Sequence, residues 1–303
     1  MPNLNRRQFV KTSVAALGAA AIPFPLSCWG SLRDFTPLRR NVGTFEGQGG
    51  TIGWLIADDA LVVIDTQFPE SATTCWDGVQ ERSSRGIDYL INTHHHGDHT
   101  AGNPVFAPHS DHHVAHRNVP GLQKAAAERS GNEADQVYAG ELFEKALKLD
   151  AGDETLHLTY FGNAHTSGDA AILFEKAGVV HMGDLVFNRR TMFLDLGAGG
   201  TSAGWIDVLE KAYDAYTDDL IFIYGHGNPS YGITGTRDDL MAMRDFLTGL
   251  REHVSSALAA GKSYEEMLVN QLPMFEVYNP ADDPSGLHRN IRNVYDEMTA
   301  DAD

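Results

Sequence analysis

The period of the apolar positions changes several times along the chain, and each change predicts an element. Residues 51–57 and 60–65 alternate apolar and polar side chains about Asp58-Asp59, the pattern of a β-hairpin. Residues 69–84 set Ala72, Cys75, Trp76 and Val79 on one helical face. Residues 87–91 form a short apolar run, read as a buried strand that leads directly to His94. Residues 120–149 are expected to be helical, with Leu142, Phe143, Ala146 and Leu147 on one face. Residues 155–161, 170–174, 179–182 and 220–224 read as strands, and residues 202–216 as a helix aligned on Trp205, Leu209, Ala212 and Tyr216. From Thr236 onward the chain reads as helical. Thr236-x-x-Asp239 and Ser263-x-x-Glu266 match capping boxes, and Leu240, Met243, Leu247, Leu250, Val254 and Leu258 keep helical spacing. With no fixed-period repeat and no composition break, this alternation predicts one α/β domain with a helical C-terminal end.

The first 28 residues follow a different logic. Arg6 and Arg7 stand before Phe9 and Lys11, and a weakly polar run, residues 14–26, follows. That run is shorter than the roughly 20 residues a membrane helix needs, so no integral membrane segment is expected in the mature chain. A basic start, a short apolar run and Ala19-Ala20-Ala21 read as an export signal, and the paired arginines resemble a twin-arginine signal peptide. Residues 1–28 are therefore expected to direct the protein to the periplasm or another extracytoplasmic space, leaving residues 35–303 as the folded domain. Cleavage after Ala21 fits the small-residue context, and Cys28 leaves lipidation open as a lesser alternative.

Composition narrows the function. A chain of 303 residues with 42% hydrophobic and 21% charged residues is ordinary for a globular protein. A net charge of −18 excludes a nucleic-acid partner held by a general basic surface and leaves a small-molecule substrate as the expected partner. Two cysteines exclude a disulfide scaffold and a Cys-rich zinc module, and Cys75 on its helix face reads as a free buried thiol. Histidine is the anomaly, with 14 in all.

Four of them lie in Thr93-His94-His95-His96-Gly97-Asp98-His99. In a loop leaving a strand, the alternate residues His94 and His96 can face one side, and Asp98 and His99 a second position beside it. Neutral imidazoles with a carboxylate suit Zn²⁺. Three more candidates each follow a short apolar strand and stand near glycine: His165 in Ala164-His165-Thr166-Ser167-Gly168-Asp169, Asp184 in Met182-Gly183-Asp184-Leu185, and His226 in Gly225-His226-Gly227.

In this order the residues resemble the metallo-β-lactamase superfamily from about Asn41 to about Pro229. The resemblance implies a four-layer αβ/βα sandwich with a two-zinc site on loops at one edge. It implies that His94, His96 and His165 hold the first Zn²⁺, that Asp98, His99 and His226 hold the second, and that Asp184 bridges them. Asp65, after Val62-Val63-Ile64, matches the buried aspartate that braces the ligand loop. The implied chemistry is hydrolysis of an ester, lactone, thioester or lactam by a metal-bound hydroxide that Asp98 orients.

The substrate is less constrained. β-Lactamases of this superfamily usually lack an Asp at the position of Asp184, and one subclass has Cys there with a substrate-gripping Lys three residues later. Here that later position is Phe187, and Arg189 and Arg190 are either substitutes for the Lys or turn residues. The set looks more like that of glyoxalase II, lactonases and esterase-like members. True β-lactamase activity, a mononuclear iron persulfide dioxygenase and a non-catalytic binding protein on the same fold remain the alternatives. His109, His112, His113 and His116, with i, i+4 pairs, leave a third metal open beside packing or surface roles. His157, His181, His253 and His288 read as packing or surface residues.

Overall fold

The strands divide their side chains between two faces, and that division builds the layers. A computed structural model describes residues 34–279 and 282–300; the expected signal peptide and Cys28 lie outside them. The first half of the fold comprises β1 (Phe35–Arg39), β2 (Val42–Phe45), β3 (Ile52–Ile56), β4 (Leu61–Ile64), α1 (Pro69–Arg82), β5 (Ile87–Asn92), α2 (Gly97–Thr100), α3 (Asn103–Phe106), β6 (Ser110–His116), α4 (Val119–Ser130) and β7 (Glu141–Phe143). The second comprises β8 (Ala146–Ala151), β9 (Glu154–Thr159), β10 (Ala171–Phe174), β11 (Val179–His181), β12 (Phe187–Asn188), α5 (Ser202–Ala215), β13 (Ile221–Ile223), β14 (His226–Gly227) and β15 (Thr234–Gly235). The helices α6 (Asp238–Ala259), α7 (Tyr264–Met267) and α8 (Ser285–Ala300) follow.

Among the described residues, β1 to β7 form one sheet in chain order, with β4, β5, β6 and β7 parallel. The second sheet runs β15-β13-β11-β10-β9-β8, and a short parallel pair joins β12 to β14. In β4, Leu61 and Val63 pack outward with Ala72, Cys75, Trp76 and Val79 of α1, while Val62 and Ile64 pack inward against the other sheet. In β10, Ile172 and Phe174 face that same inter-sheet core, and Ala171 faces the outer core of Trp205, Leu209, Met243, Leu250 and Ile291. Alternation of period 2 on β4 and β10, between helices of period 3.6, yields helix, sheet, sheet, helix: the expected αβ/βα sandwich. No described helix is long and apolar enough to cross a membrane.

The hairpin β3–β4, the helices α1 and α5, and strands β5, β9, β10, β11 and β13 fall where the hydrophobic pattern places them. The Ser263–Glu266 capping box has both of its hydrogen bonds. Thr236 and Asp239 form half of one: the Asp239 carboxylate accepts from the Thr236 amide at 2.9 Å, and the helix starts at Asp238.

The helix expected over 120–149 ends at Ser130, where Gly131 takes a left-handed conformation with φ of 69°. Leu142 and Phe143 lie in β7, and Ala146 and Leu147 in β8. Spacings of 1, 3 and 1 suit a helix face as well as two short strands, and pairing with β6 and β9 decides the matter. Cys75 is buried on the face of α1 and has no disulfide partner among the described residues.

Candidate metal centre

Seven candidate ligands meet at one edge of the sandwich because their strands end there. His94 to His99 follow β5, Asp184 follows β11, His226 follows β13, and His165 lies in the connection from β9 to β10. His96 is extended, with φ of −63° and ψ of 149°, and the chain then turns into the single helical turn of α2. That change of backbone separates the two faces. His94 and His96 lie on the segment before the turn, whereas Asp98 and His99 project from the turn itself.

Two clusters result. His94 Nε2 lies 3.1 Å from His96 Nδ1, which lies 2.9 Å from His165 Nε2. His226 Nε2 lies 3.0 Å from Asp98 Oδ2, and His99 Nε2 lies 3.7 Å from the same oxygen. Asp184 stands between them. Its Oδ2 is 3.8 Å from His94, 3.5 Å from His165 and 3.5 Å from His226, and its Oδ1 is 3.1 Å from His99. The donor atoms within each cluster lie within 4.8 Å of one another, close enough to share an ion.

The imidazoles are held by their other nitrogens. Asp65 accepts from His99 Nδ1 at 2.8 Å, from the Thr93 amide at 2.8 Å and from the Thr93 hydroxyl at 2.7 Å. His165 Nδ1 donates to the Phe193 carbonyl at 2.5 Å, and His96 Nε2 donates to Asp195 at 3.0 Å. Each bond fixes a tautomer that turns the opposite nitrogen toward the cluster. Glycine makes the room: a Cβ on Gly225 would stand 1.9 Å from Asp184 Oδ1, and one on Gly50 would stand 2.1 Å from the His99 ring.

The arrangement fits a pair of divalent ions. His99 Nε2 and Asp184 Oδ1 are buried 3.1 Å from each other and meet no further hydrogen-bond partner among the described residues, which leaves both donor atoms available to a shared ligand. Three imidazoles on one side, two imidazoles with a carboxylate on the other and a carboxylate between are a donor set for Zn²⁺. Burial drives His165 down to about 3, and it also holds His94 well below the ordinary imidazole range, so both rings are neutral and ready to donate a lone pair. Burial also opposes charge on His226, but Asp184 and Asp98 outweigh it and raise that imidazole to about 9. Protons there occupy the position of positive charge that a cation would take.

Not every candidate joins the site. Arg189 pairs with Asp239, donates to Asn188 Oδ1 at 2.9 Å and lies over the Tyr231 ring, so its guanidinium is engaged in packing rather than free to grip a substrate. Arg190 is exposed. The third-metal alternative for His109, His112, His113 and His116 finds no cluster among the described residues. His109 stacks on Trp76, His112 pairs with Glu141, His113 bonds Asn92 and His116 bonds the Glu144 carbonyl. The sequence reading missed Asp195 and the Phe193 carbonyl, which hold His96 and His165; neither carries a motif or a period.

Comparison with known proteins agrees with this construction. The metallo-beta-lactamase superfamily model matches residues 47–229, more than half of the chain, and the chain belongs to that superfamily. A curated relative, 2,4-dinitroanisole O-demethylase subunit alpha of Nocardioides sp. (strain JS1661), is 27% identical over 172 residues, 56% of this chain and 51% of the relative. Among solved structures, the sec-alkylsulfatase Pisa1 from Pseudomonas sp. superposes with a TM-score of 0.67 at 16% identity, over 87% of this chain and 50% of that one. A metallo-beta-lactamase from Pontibacter korlensis gives 0.60 at 14% identity, over 71% of this chain and 98% of that one. The chain thus spans about half the length of the demethylase subunit and of the alkylsulfatase. At these identities the structures share the fold.

Proposed function

We propose that this chain is a dinuclear zinc hydrolase that cleaves an ester, lactone or thioester in preference to a lactam. The observation that carries the reading is Asp184, whose Oδ2 lies 3.5 Å from a nitrogen of each cluster, His165 on one side and His226 on the other. When bound, two such ions supply Lewis acidity toward a carbonyl oxygen and lower the pKa of a water toward about 7. Asp184 holds the two ligand sets at one separation and supplies negative charge between them. Asp98, with 28% of its side chain exposed, stands at the open side and orients the attacking water. Phe193 is exposed beside the His96 and His165 rings and offers an apolar wall to the acyl group. Phe187, three residues beyond Asp184, stacks on His226 and supplies no cation for a drug carboxylate.

The test is kcat/KM of zinc-loaded protein, with metal content measured, on an aryl ester, a lactone, an acyl thioester and a cephalosporin. The expected result is close to two zinc ions per chain and a preference for ester or lactone. A tenfold or greater preference for the cephalosporin, about 1.4 kcal/mol in transition-state binding, overturns the substrate assignment in favour of a β-lactamase. An iron protein that consumes oxygen overturns the zinc assignment. Asp184→Cys should lower ester turnover without creating strong lactamase activity. The name of the demethylase relative supports a second reading, cleavage of an aryl ether, so 2,4-dinitroanisole belongs in the same panel.

We also propose that residues 1–28 direct export. Replacing Arg6 and Arg7 by Lys should retain the precursor in the cytoplasm, and normal export of that variant overturns the assignment.

A further inference from the structure

Helix α8 carries a polar seam. Gly286, Asn290, Asn293 and Glu297 recur at spacings of four, three and four, which sets them on one helical face. Beside it runs an apolar seam of Leu287, Ile291 and Val294, all buried in the outer core. A Cβ at Gly286 would stand 2.3 Å from Thr191 Cγ2, so glycine lets the helix lie directly on the loop before α5. Asn290 Nδ2 donates to the Met192 carbonyl at 3.1 Å, and Asn293 Nδ2 to the Leu194 carbonyl at 2.8 Å. Glu297 accepts from the Ser202 amide at 2.8 Å, at the start of α5.

The loop is gripped from its other side by the metal centre. The Phe193 carbonyl accepts from His165 Nδ1, and Asp195 accepts from His96 Nε2. The groups alternate: the carbonyls of 192 and 194 face α8, while the carbonyl of 193 and the carboxylate of 195 face the cluster. Asn290 is fully buried. Its Oδ1 has no hydrogen-bond partner among the described residues, so the bond made by Nδ2 is what compensates its burial. Two of the other candidate ligands are braced elsewhere, His99 by Asp65 and His94 by the Thr93 hydroxyl.

We propose that Asn290 and Asn293 are positioning residues for one of the two metal ions. By fixing residues 192–195 they set the ring orientations of His96 and His165, and so the affinity of the cluster those rings share with His94. The C-terminal helix, beyond the matched residues 47–229, thereby becomes part of the metal centre. This inference rests on the two-metal reading, and it predicts an asymmetry that a general loss of stability would not produce.

The experiment is a zinc titration of the metal-free full chain against a chromogenic chelator, with the unfolding midpoint of each metal-free protein measured alongside. The proteins are the native chain, Asn290→Ala, Asn293→Ala and, as an exposed control on the same helix, Arg292→Ala. The native chain and the control should each take up two ions. Each Asn variant should lose about 10- to 100-fold in affinity for one ion, as loss of a ligand's supporting partner does, and hold the other within about threefold. Co²⁺ substitution should show a changed spectrum for one site only. Unchanged affinities, or equal loss at both sites, overturn the inference while leaving two-metal binding intact. A native chain that binds no zinc overturns the two-metal reading and this inference with it. If Asn290→Ala does not fold, the half-buried Asn293→Ala decides alone.

Discussion

Two groups of four histidines occur in succession, and only the first supplies rings that converge, those of His94, His96 and His99. His94, His95, His96 and His99 follow β5; His109, His112, His113 and His116 lie on or beside β6, which pairs in parallel with β5. The first group leaves the strand before its side chains matter. The segment after the strand brings His94 and His96 toward Asp184, the helical turn adds His99, and Asp65 and Asp195 hold ring nitrogens on the far side. The second group stays within the ladder. On a strand, neighbours face opposite sides, and His112 and His116 on one face stand about 13 Å apart along it. Each therefore has its own partner: Tyr89 and Glu141 for His112, Tyr160 and the Glu144 carbonyl for His116. Histidine number alone does not bring donor atoms together; a strand end with acidic groups behind the rings does.

The sharpest way to break this contrast is to remove one member of each group. His96→Ala or Asp98→Asn should lower kcat/KM for the best ester by more than about a hundredfold, beyond what a lost supporting partner costs, while far-UV circular dichroism stays native. His113→Gln should leave metal content unchanged. Equal losses in the two groups would erase the distinction.

Asp65→Asn tests whether the acid behind the rings matters. It weakens the acceptor for His99 and Thr93, and metal affinity should fall about 10- to 100-fold by chelator competition. Native affinity would show that the loop holds its shape unaided.

The dispersed group should report on stability and pH instead. Burial drives the His113 imidazole from 6.5 down to about 4. Between those values the unfolded chain binds more protons than the folded one, so stability falls as pH falls through that window. On metal-free protein, urea midpoints from pH 7 to pH 4 should fall less steeply for His113→Gln than for the native chain. Identical slopes would remove His113 from the account.

The smallest effect belongs to His112. Its pair with Glu141 is about half exposed, and His112→Ala should change unfolding free energy by no more than about 0.5 kcal/mol without altering metal content.

Much of the fold was legible along the chain because α1, α5, α6 and the hairpin β3–β4 each keep one period long enough to be read. The seven candidate ligands were legible because they are dense in rare residue types and each follows an apolar run. β7 and β8 were not, since Leu142, Phe143, Ala146 and Leu147 satisfy a helical spacing until β6 and β9 lie beside them. The strands β1 and β2, an antiparallel pair at the sheet edge, are too short and too mixed in polarity to show a period.

By itself, then, the sequence determined which side chains are available as ligands and on which kinds of element they sit, since periodicity and residue chemistry are local properties. Only the tertiary structure decided which nitrogen of each ring faces the centre. That choice depends on acceptors far away in the chain: Asp195 is 99 positions from His96, and the Phe193 carbonyl is 28 from His165. It also decided that the polar seam of α8 meets the loop that supports two of those rings. Neither fact has a local signature, because a hydrogen bond between distant residues depends on where packing leaves its partners and not on the spacing of either one.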